Sequence, residues 1–171
     1  IDNGTLRKTV QLAAPGDAVR VIAAESAASQ LLGLGHESGT VTLVKHGYKI
    51  SYPSGGRLIT PRVEMPFEEQ TFRMGEQPIT RLALRDSEEA FVLAVQLEGG
   101  GLQVHRYNKT IDFLSEELTL EKEVLSLPAQ VGQTAALHLG SGQRWLYRLQ
   151  VDGRYTVFDL LSEDAKGIIE V

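Results

Sequence analysis

The sequence predicts an all-β chain, arranged as a β-propeller-like arc of about three four-stranded blades. The first observation behind this is a plan that recurs along the chain: a strand-like segment, a polar turn, a more apolar strand, a tight turn containing Gly, and an alternating strand. The second is its spacing of about 50–60 residues, at which small antiparallel sheets recur in propellers and related β-repeats. The third is an apolar period close to two within the strands, as in Thr40–Lys45 and Leu102–Tyr107, which a half-buried strand requires.

Residues Gly4–Leu12 alternate like the last strand of a preceding unit, and Ala13–Asp17, with Pro15-Gly16, breaks that strand. The chain opens Ile1-Asp2-Asn3-Gly4, without an initiating Met or a signal-peptide pattern, and reads as an excised or processed segment. The first unit, about residues 13–66, contains Val19–Ala23, Leu31–His36, the Glu37-Ser38-Gly39 turn and Thr40–Lys45. It ends in an excursion, Gly47–Arg57, read as a strand extension with a hairpin turn at Ser54-Gly55-Gly56. Leu58–Met65 alternates again, and Pro61 places it at a sheet edge or a bulge.

The second unit, about residues 76–128, contains Ile79–Leu84, Ala90–Leu97, the Gly99-Gly100-Gly101 turn and Leu102–Tyr107. Phe91–Val95 is apolar on both faces, as a central buried strand should be. Ile111, Leu114 and Leu118 have helical spacing, yet Glu117–Glu121 alternates strictly; a short turn or helical loop at Asp112–Glu116 followed by a strand fits both. The third unit, about residues 132–171, contains Thr134–Leu139, Arg144–Val151, the Asp152-Gly153 turn and Tyr155–Leu160. A closed propeller takes roughly four to eight blades. The units therefore predict an arc of a larger propeller, or one that closes on another copy, with open edges that invite self-association.

Nothing in the 171 residues demands two domains. A hydrophobic content of 42% with 23% charged residues is ordinary for a soluble globular protein and argues against a disordered chain. The net charge of −5 and pI near 5.4 give no general attraction for nucleic acid or anionic lipid. The absence of cysteine excludes disulfides, thiolate metal sites and Cys nucleophiles, and fits either the cytosol or a bacterial extracytoplasmic compartment. No apolar run approaches the roughly 18 residues of a membrane span.

No motif announces catalysis. Gly140-Ser141-Gly142 and Ser54-Gly55-Gly56 lack the nucleophile-elbow spacing and read as turns. His36-Glu37 begins like a zincin motif, but Thr40 stands where the second His belongs, so His36 reads as a turn residue. The four histidines, His36, His46, His105 and His138, share no ligand spacing. Convergence from different blades on a central channel is the one route to a metal site that this leaves open. Gly99-Gly100-Gly101 leads into a strand instead of a helix N-terminus, so it is a hairpin turn and no phosphate cradle. No catalytic residue, cofactor or metal is expected.

The most distinctive feature is a cationic segment. Between Gly39 and Val63 the charged residues are Lys45, Lys49, Arg57 and Arg62, with His46 beside them and no Asp or Glu. In an acidic protein this run could hold a phosphate-like anion or the acidic face of a partner. The blander reading is a solvated hairpin whose charges balance Glu64, Glu68 and Glu69. Glu116, Glu117, Glu121 and Glu123 read as an exposed strand face. Tyr48 and Tyr52 flank the hairpin, and Trp145, Tyr147 and Phe158 lie in the third unit; their alternation reads as core or interblade packing.

The stretch Lys45–Pro53, followed by Arg57–Pro61, resembles a segment of the long permease subunits of bacterial phosphate ABC transporters, the PstC type. Similarity continues at Ile79–Arg85, at Gln143–Tyr147 and from Asp152-Gly153-Arg154 through Val157-Phe158-Asp159, covering about Leu31 to Leu161 with WD-repeat-like character. In such permeases a large soluble domain is inserted after the first transmembrane helix. The resemblance implies a non-catalytic periplasmic domain of a bacterial inner membrane protein. Its partners would be the transmembrane permease bundle of the same parent chain and the periplasmic phosphate-binding protein. The basic hairpin, with Lys45, His46, Lys49, Arg57 and Arg62, is then the candidate contact surface. A free-standing propeller scaffold in the cell envelope is the alternative.

Overall fold

The computed structural model describes residues 11–12, 14, 16–26, 30–67, 71–112, 117–125, 127, 132–162 and 169–170. Strands form where the sequence alternates, and turns where Gly or Pro interrupts it. In chain order the strands are β1 (Val19–Ala24), β2 (Leu31–His36), β3 (Thr40–Ser51), β4 (Leu58–Glu64), β5 (Thr71–Arg73), β6 (Ile79–Asp86) and β7 (Ala90–Leu97). They continue with β8 (Leu102–Ile111), β9 (Leu118–Leu125), β10 (Thr134–Leu139), β11 (Trp145–Gln150), β12 (Tyr155–Asp159) and β13 (Ile169–Glu170). The described residues contain two short 3-10 turns and no α-helix, and no helix among them is long and apolar enough to cross a membrane.

Every strand pairing among the described residues is antiparallel, and, β5 apart, the strands of each sheet are neighbours in chain order, so they form three up-and-down sheets, none closed on itself. Sheet 1 runs β1-β2-β3-β4, sheet 2 runs β6-β7-β8-β9 and sheet 3 runs β10-β11-β12-β13. The strand β5 also belongs to sheet 1. It pairs Thr40–Thr42 of β3 on the edge where β4 pairs Lys45–Ser51, so β4 and β5 share that edge. The edge position expected of the Pro61 strand holds. Of the expected Asp112–Glu116 loop, residues 113–116 lie outside the described residues. Asp112 N–H donates to the Glu117 carbonyl at 3.0 Å, and the strand that follows is present.

The sheets stack face to face with sheet 2 in the middle, and the first strand of each neighbours the first strand of the next. The strand β7 is buried along its whole length because both of its faces are covered. Phe91, Leu93, Val95 and Leu97 face sheet 1, where they meet Leu31, Val41, Leu43 and Phe72. Val92 and Ala94 face sheet 3, where they meet Leu139, Leu146 and Phe158. Each of these side chains larger than Ala94 stabilises by roughly 1.5–3 kcal/mol on burial. Phe91 is sandwiched between Phe67, at 4.7 Å, and Tyr107, at 4.5 Å, with Phe72 edge-on at 5.1 Å.

Small residues set how closely sheets 1 and 2 approach. Gly33 and Gly35 lie on the β2 face that meets β6, and a Cβ at Gly35 would stand 2.6 Å from Val21 and 2.8 Å from Ile79. Gly39, at φ +80°, closes the β2–β3 turn against the Gly75 and Gln77 carbonyls, which leave no room for a side chain. Polar side chains fasten sheet 3 to sheet 2. Gln143 donates to the carbonyls of Arg85, at 3.2 Å, and Ala90, at 2.7 Å, while Arg81 donates to that of Ala135 at 2.8 Å. Arg148 is fully buried and donates to Thr134 Oγ1 at 2.8 Å and to the Gly132 carbonyl at 2.6 Å. Thr134 in turn donates to Gln96.

One turn residue is reassigned. His36 ends β2 as a buried residue instead of sitting in the exposed turn, because its Nε2 pairs with Thr42 Oγ1 at 2.9 Å on the adjacent strand.

Candidate functional site

The cationic segment is an arm. Register pairing between β2 and β3 ends at Leu31 opposite Lys45, with one further backbone bond from His46 N–H to the Gln30 carbonyl at 2.8 Å; beyond it, β4 is the only strand paired with β3 among the described residues. A twelve-residue strand against a six-residue one leaves a surplus that no third strand among the described residues supports. At about 3.3 Å per residue, that two-stranded ribbon extends roughly 20 Å beyond the sheet. A short 3-10 turn at Pro53–Gly55 closes its tip, where Gly56 N–H donates to the Pro53 carbonyl at 3.0 Å.

The register sorts the arm's side chains, because residues opposite each other in a pleated pair point to the same side. One face carries the pairs Lys45–Glu64, Gly47–Arg62, Lys49–Thr60 and Ser51–Leu58. The other carries His46–Val63, Tyr48–Pro61 and Ile50–Ile59. Lys45, Lys49 and Arg62 therefore share one face, His46 is on the opposite one, and Arg57 stands at the tip just before β4. All five are exposed. The structure brings together three of the expected contact residues and separates the other two.

Glu64 tempers this face. Arg62 Nη1 donates to its carboxylate at 3.0 Å, but both groups are about half exposed, and such surface pairs contribute roughly 0–1 kcal/mol. Lys45, Lys49 and Arg57 make no ion pair among the described residues. Glu68 and Glu69, expected to balance the segment, lie outside the described residues. A shallow depression of about 310 Å³ opens between Gln30, Lys45, Lys49 and Arg62, wide enough for an anionic group. Lys45 also borders a depression of about 400 Å³ between sheets 1 and 2. There the charges are matched, with Lys109 on Asp86 at 2.6 Å and Arg85 on Glu25 at 3.5 Å. The free positive field belongs to the arm.

The arm's apolar side chains are what the sequence reading misplaced. Tyr48 and Tyr52 do not pack, being 61% and 69% exposed, and with them stand Ile50 at 38%, Leu58 at 51% and Ile59 at 51%. Their alternation resembles that of a core strand because the arm is a strand; no sheet covers it. The available signal was the length mismatch between β2 and β3. In sheet 3 the packing expectation holds for Phe158, which is fully buried, while Trp145 and Tyr147 are half-buried on the outer face.

The histidines are dispersed. His36 Nδ1 lies 3.9 Å from the Asp17 carboxylate. Partial burial opposes ionisation of Asp17, but hydrogen bonds from Ser38 Oγ, at 2.7 Å, and Ser38 N–H, at 3.0 Å, together hold its pKa below the ordinary value. His105 is buried in sheet 2 near Tyr107, and burial followed by the charge of Lys122 pushes its pKa down to about 4. His138 lies on the outer face of sheet 3, 5.9 Å from Tyr147. No group of three or more His, Asp or Glu positioned to hold a metal ion occurs among the described residues. The arm's chemistry is that of anion contact and apolar contact. No protein-family model, curated protein or solved structure matches the chain.

Proposed function

We propose that this chain is a non-catalytic interaction domain: the periplasmic, extracytoplasmic domain of a phosphate ABC transporter permease of the bacterial inner membrane, serving phosphate import as a docking or regulatory surface. In this reading the three sheets are successive blades of a WD-repeat-like propeller arc. Their face-to-face stacking, with each first strand beside the next, supports it. The transporter assignment rests on the resemblance at Lys45–Pro53 and Arg57–Pro61, residues that fall on the arm.

The observation that carries the docking role is the projection of Lys45, Lys49 and Arg62 on one face of an exposed ribbon, with Arg57 at its tip. The partner is then an acidic face of the periplasmic phosphate-binding protein, while the transmembrane bundle of the same parent chain carries the transport path. The test is the affinity of the domain for that binding protein at low and high salt. Replacing Lys45, Lys49, Arg57 and Arg62 with Ser is expected to weaken association at low salt and to flatten its salt dependence. Unchanged affinity overturns the docking role.

A second reading, a free-standing propeller scaffold for protein–protein interaction in the cell envelope, is favoured by the outer face of sheet 3. There His138, Tyr147 and Tyr155 form an aromatic row, with ring spacings of 5.9 and 6.0 Å, beside exposed Leu149. A further blade or a second copy of an open arc would cover such a face.

A further inference from the structure

The end of the arm is apolar on both faces. Ile50 and Ile59 are paired on one side, Leu58 stands on the other, and Tyr52 continues past the end of β3. A flat protein surface covers one face of a ribbon and leaves the other in water. A lipid interface surrounds the tip and buries both faces at once. The cations occupy the positions such insertion needs: Arg57 within the tip, and Lys49, Arg62 and Lys45 successively behind it. Their long stems let apolar carbons follow the tip inward while the charged ends stay at phosphate level. Tyr48 and Tyr52 are amphipathic rings of the kind that favour the boundary between hydrocarbon and water.

We propose that the β3–β4 arm is a membrane-surface anchor whose tip enters the headgroup layer of an anionic bilayer, with Lys49, Arg57 and Arg62 on lipid phosphates. The chain's net charge of −5 gives it no general attraction for such a surface. Only from afar does the molecule present this net charge. Charges are screened over about 8–10 Å at moderate salt, and the tip stands roughly 20 Å beyond the sheet. The field that a lipid headgroup meets there is the arm's own, whose one carboxylate, Glu64 beside Arg62, lies at the base opposite Lys45. The more acidic remainder is repelled, which orients the molecule arm-first. Unlike the docking role, this proposal needs no protein partner and does not depend on the transporter assignment.

The test is co-sedimentation with vesicles of phosphatidylcholine alone and of phosphatidylcholine with one-third phosphatidylglycerol, with no other protein present. Binding is expected to the anionic vesicles, weakening as salt rises. A Lys49→Ser, Arg57→Ser, Arg62→Ser variant is expected to lose roughly 100-fold in partitioning, about fivefold per cation. A Tyr52→Ser, Leu58→Ser, Ile59→Ser variant, with every charge retained, is expected to lose at least about tenfold through its apolar surface alone. All six positions are exposed, so circular dichroism should show both variants folded. In a Tyr52→Trp variant the new indole is expected to shift to the blue on anionic vesicles, while Trp145, far away in sheet 3, does not respond. Failure to sediment with anionic vesicles overturns the proposal, as does sedimentation that the tip variant leaves unchanged. A solution mass that falls from dimer to monomer in the tip variant, without lipid binding, assigns the arm to a second copy instead. Because the vesicles hold no protein, failure here and failure of binding-protein docking are read separately.

Discussion

Acidification is expected to weaken this fold before most carboxylates titrate, and His105 is the reason. The ring is only 3% exposed, on the face of β8 that looks towards sheet 1, with its Nδ1 3.4 Å from the Tyr107 hydroxyl. Burial, and then the charge of Lys122, lower its pKa from 6.5 to about 4. The unfolded chain takes up this proton first as pH falls, so stability is full above pH 6.5, declines between 6.5 and about 4, and levels off below. At 1.36 kcal/mol per pH unit, the loss across that window approaches about 3 kcal/mol, a large part of the 5–15 kcal/mol typical of a domain. Urea unfolding at a series of pH values measures it, against a His105→Gln variant whose side chain cannot ionise. The variant is expected to be less stable at neutral pH through altered packing, but with a shallower decline from 6.5 to 4. Parallel pH profiles for the two proteins would rule out His105 as the source of the decline.

Two further substitutions probe the stack itself. Gly35→Ala places a methyl group 2.6 Å from Val21 and 2.8 Å from Ile79, where β2 meets β6, and is expected to cost about 1–3 kcal/mol in urea unfolding. A stability equal to the parent's would mean that sheets 1 and 2 can separate without penalty. Arg148→Ala removes a fully buried side chain from between Thr134 and the Gly132 carbonyl, and is expected to cost about 3 kcal/mol or more. Arg148→Met, which refills most of the volume, is expected to cost less.

Most of the strands and their order were legible in the sequence, although the short β5 and β13 were not. Alternation in Leu102–Tyr107, the unbroken apolar run of Phe91–Val95 and the glycines at the turns are local signals, and each sets its backbone with little help from elsewhere. Short turns between successive strands then leave antiparallel neighbours as the simplest pairing, and all three sheets have it. Of the candidate site, the residue types and their lack of acidic neighbours were legible. Which of them share a face follows only once the register fixes Gly47 opposite Arg62 and Lys49 opposite Thr60.

What covers each face is set by the packing of the sheets. Alternation gives a strand two faces without saying whether another sheet lies on either, so Tyr48 and Leu43 look alike in sequence, yet one is 61% exposed and the other 1%. The same gap hid His105 and Arg148, polar residues that are buried because neighbouring sheets cover them. It also hid the role of Gly33 and Gly35, whose small size matters only because β6 lies against them. Burial depends on contacts between strands far apart in the chain, and those contacts leave no mark on the local period of two.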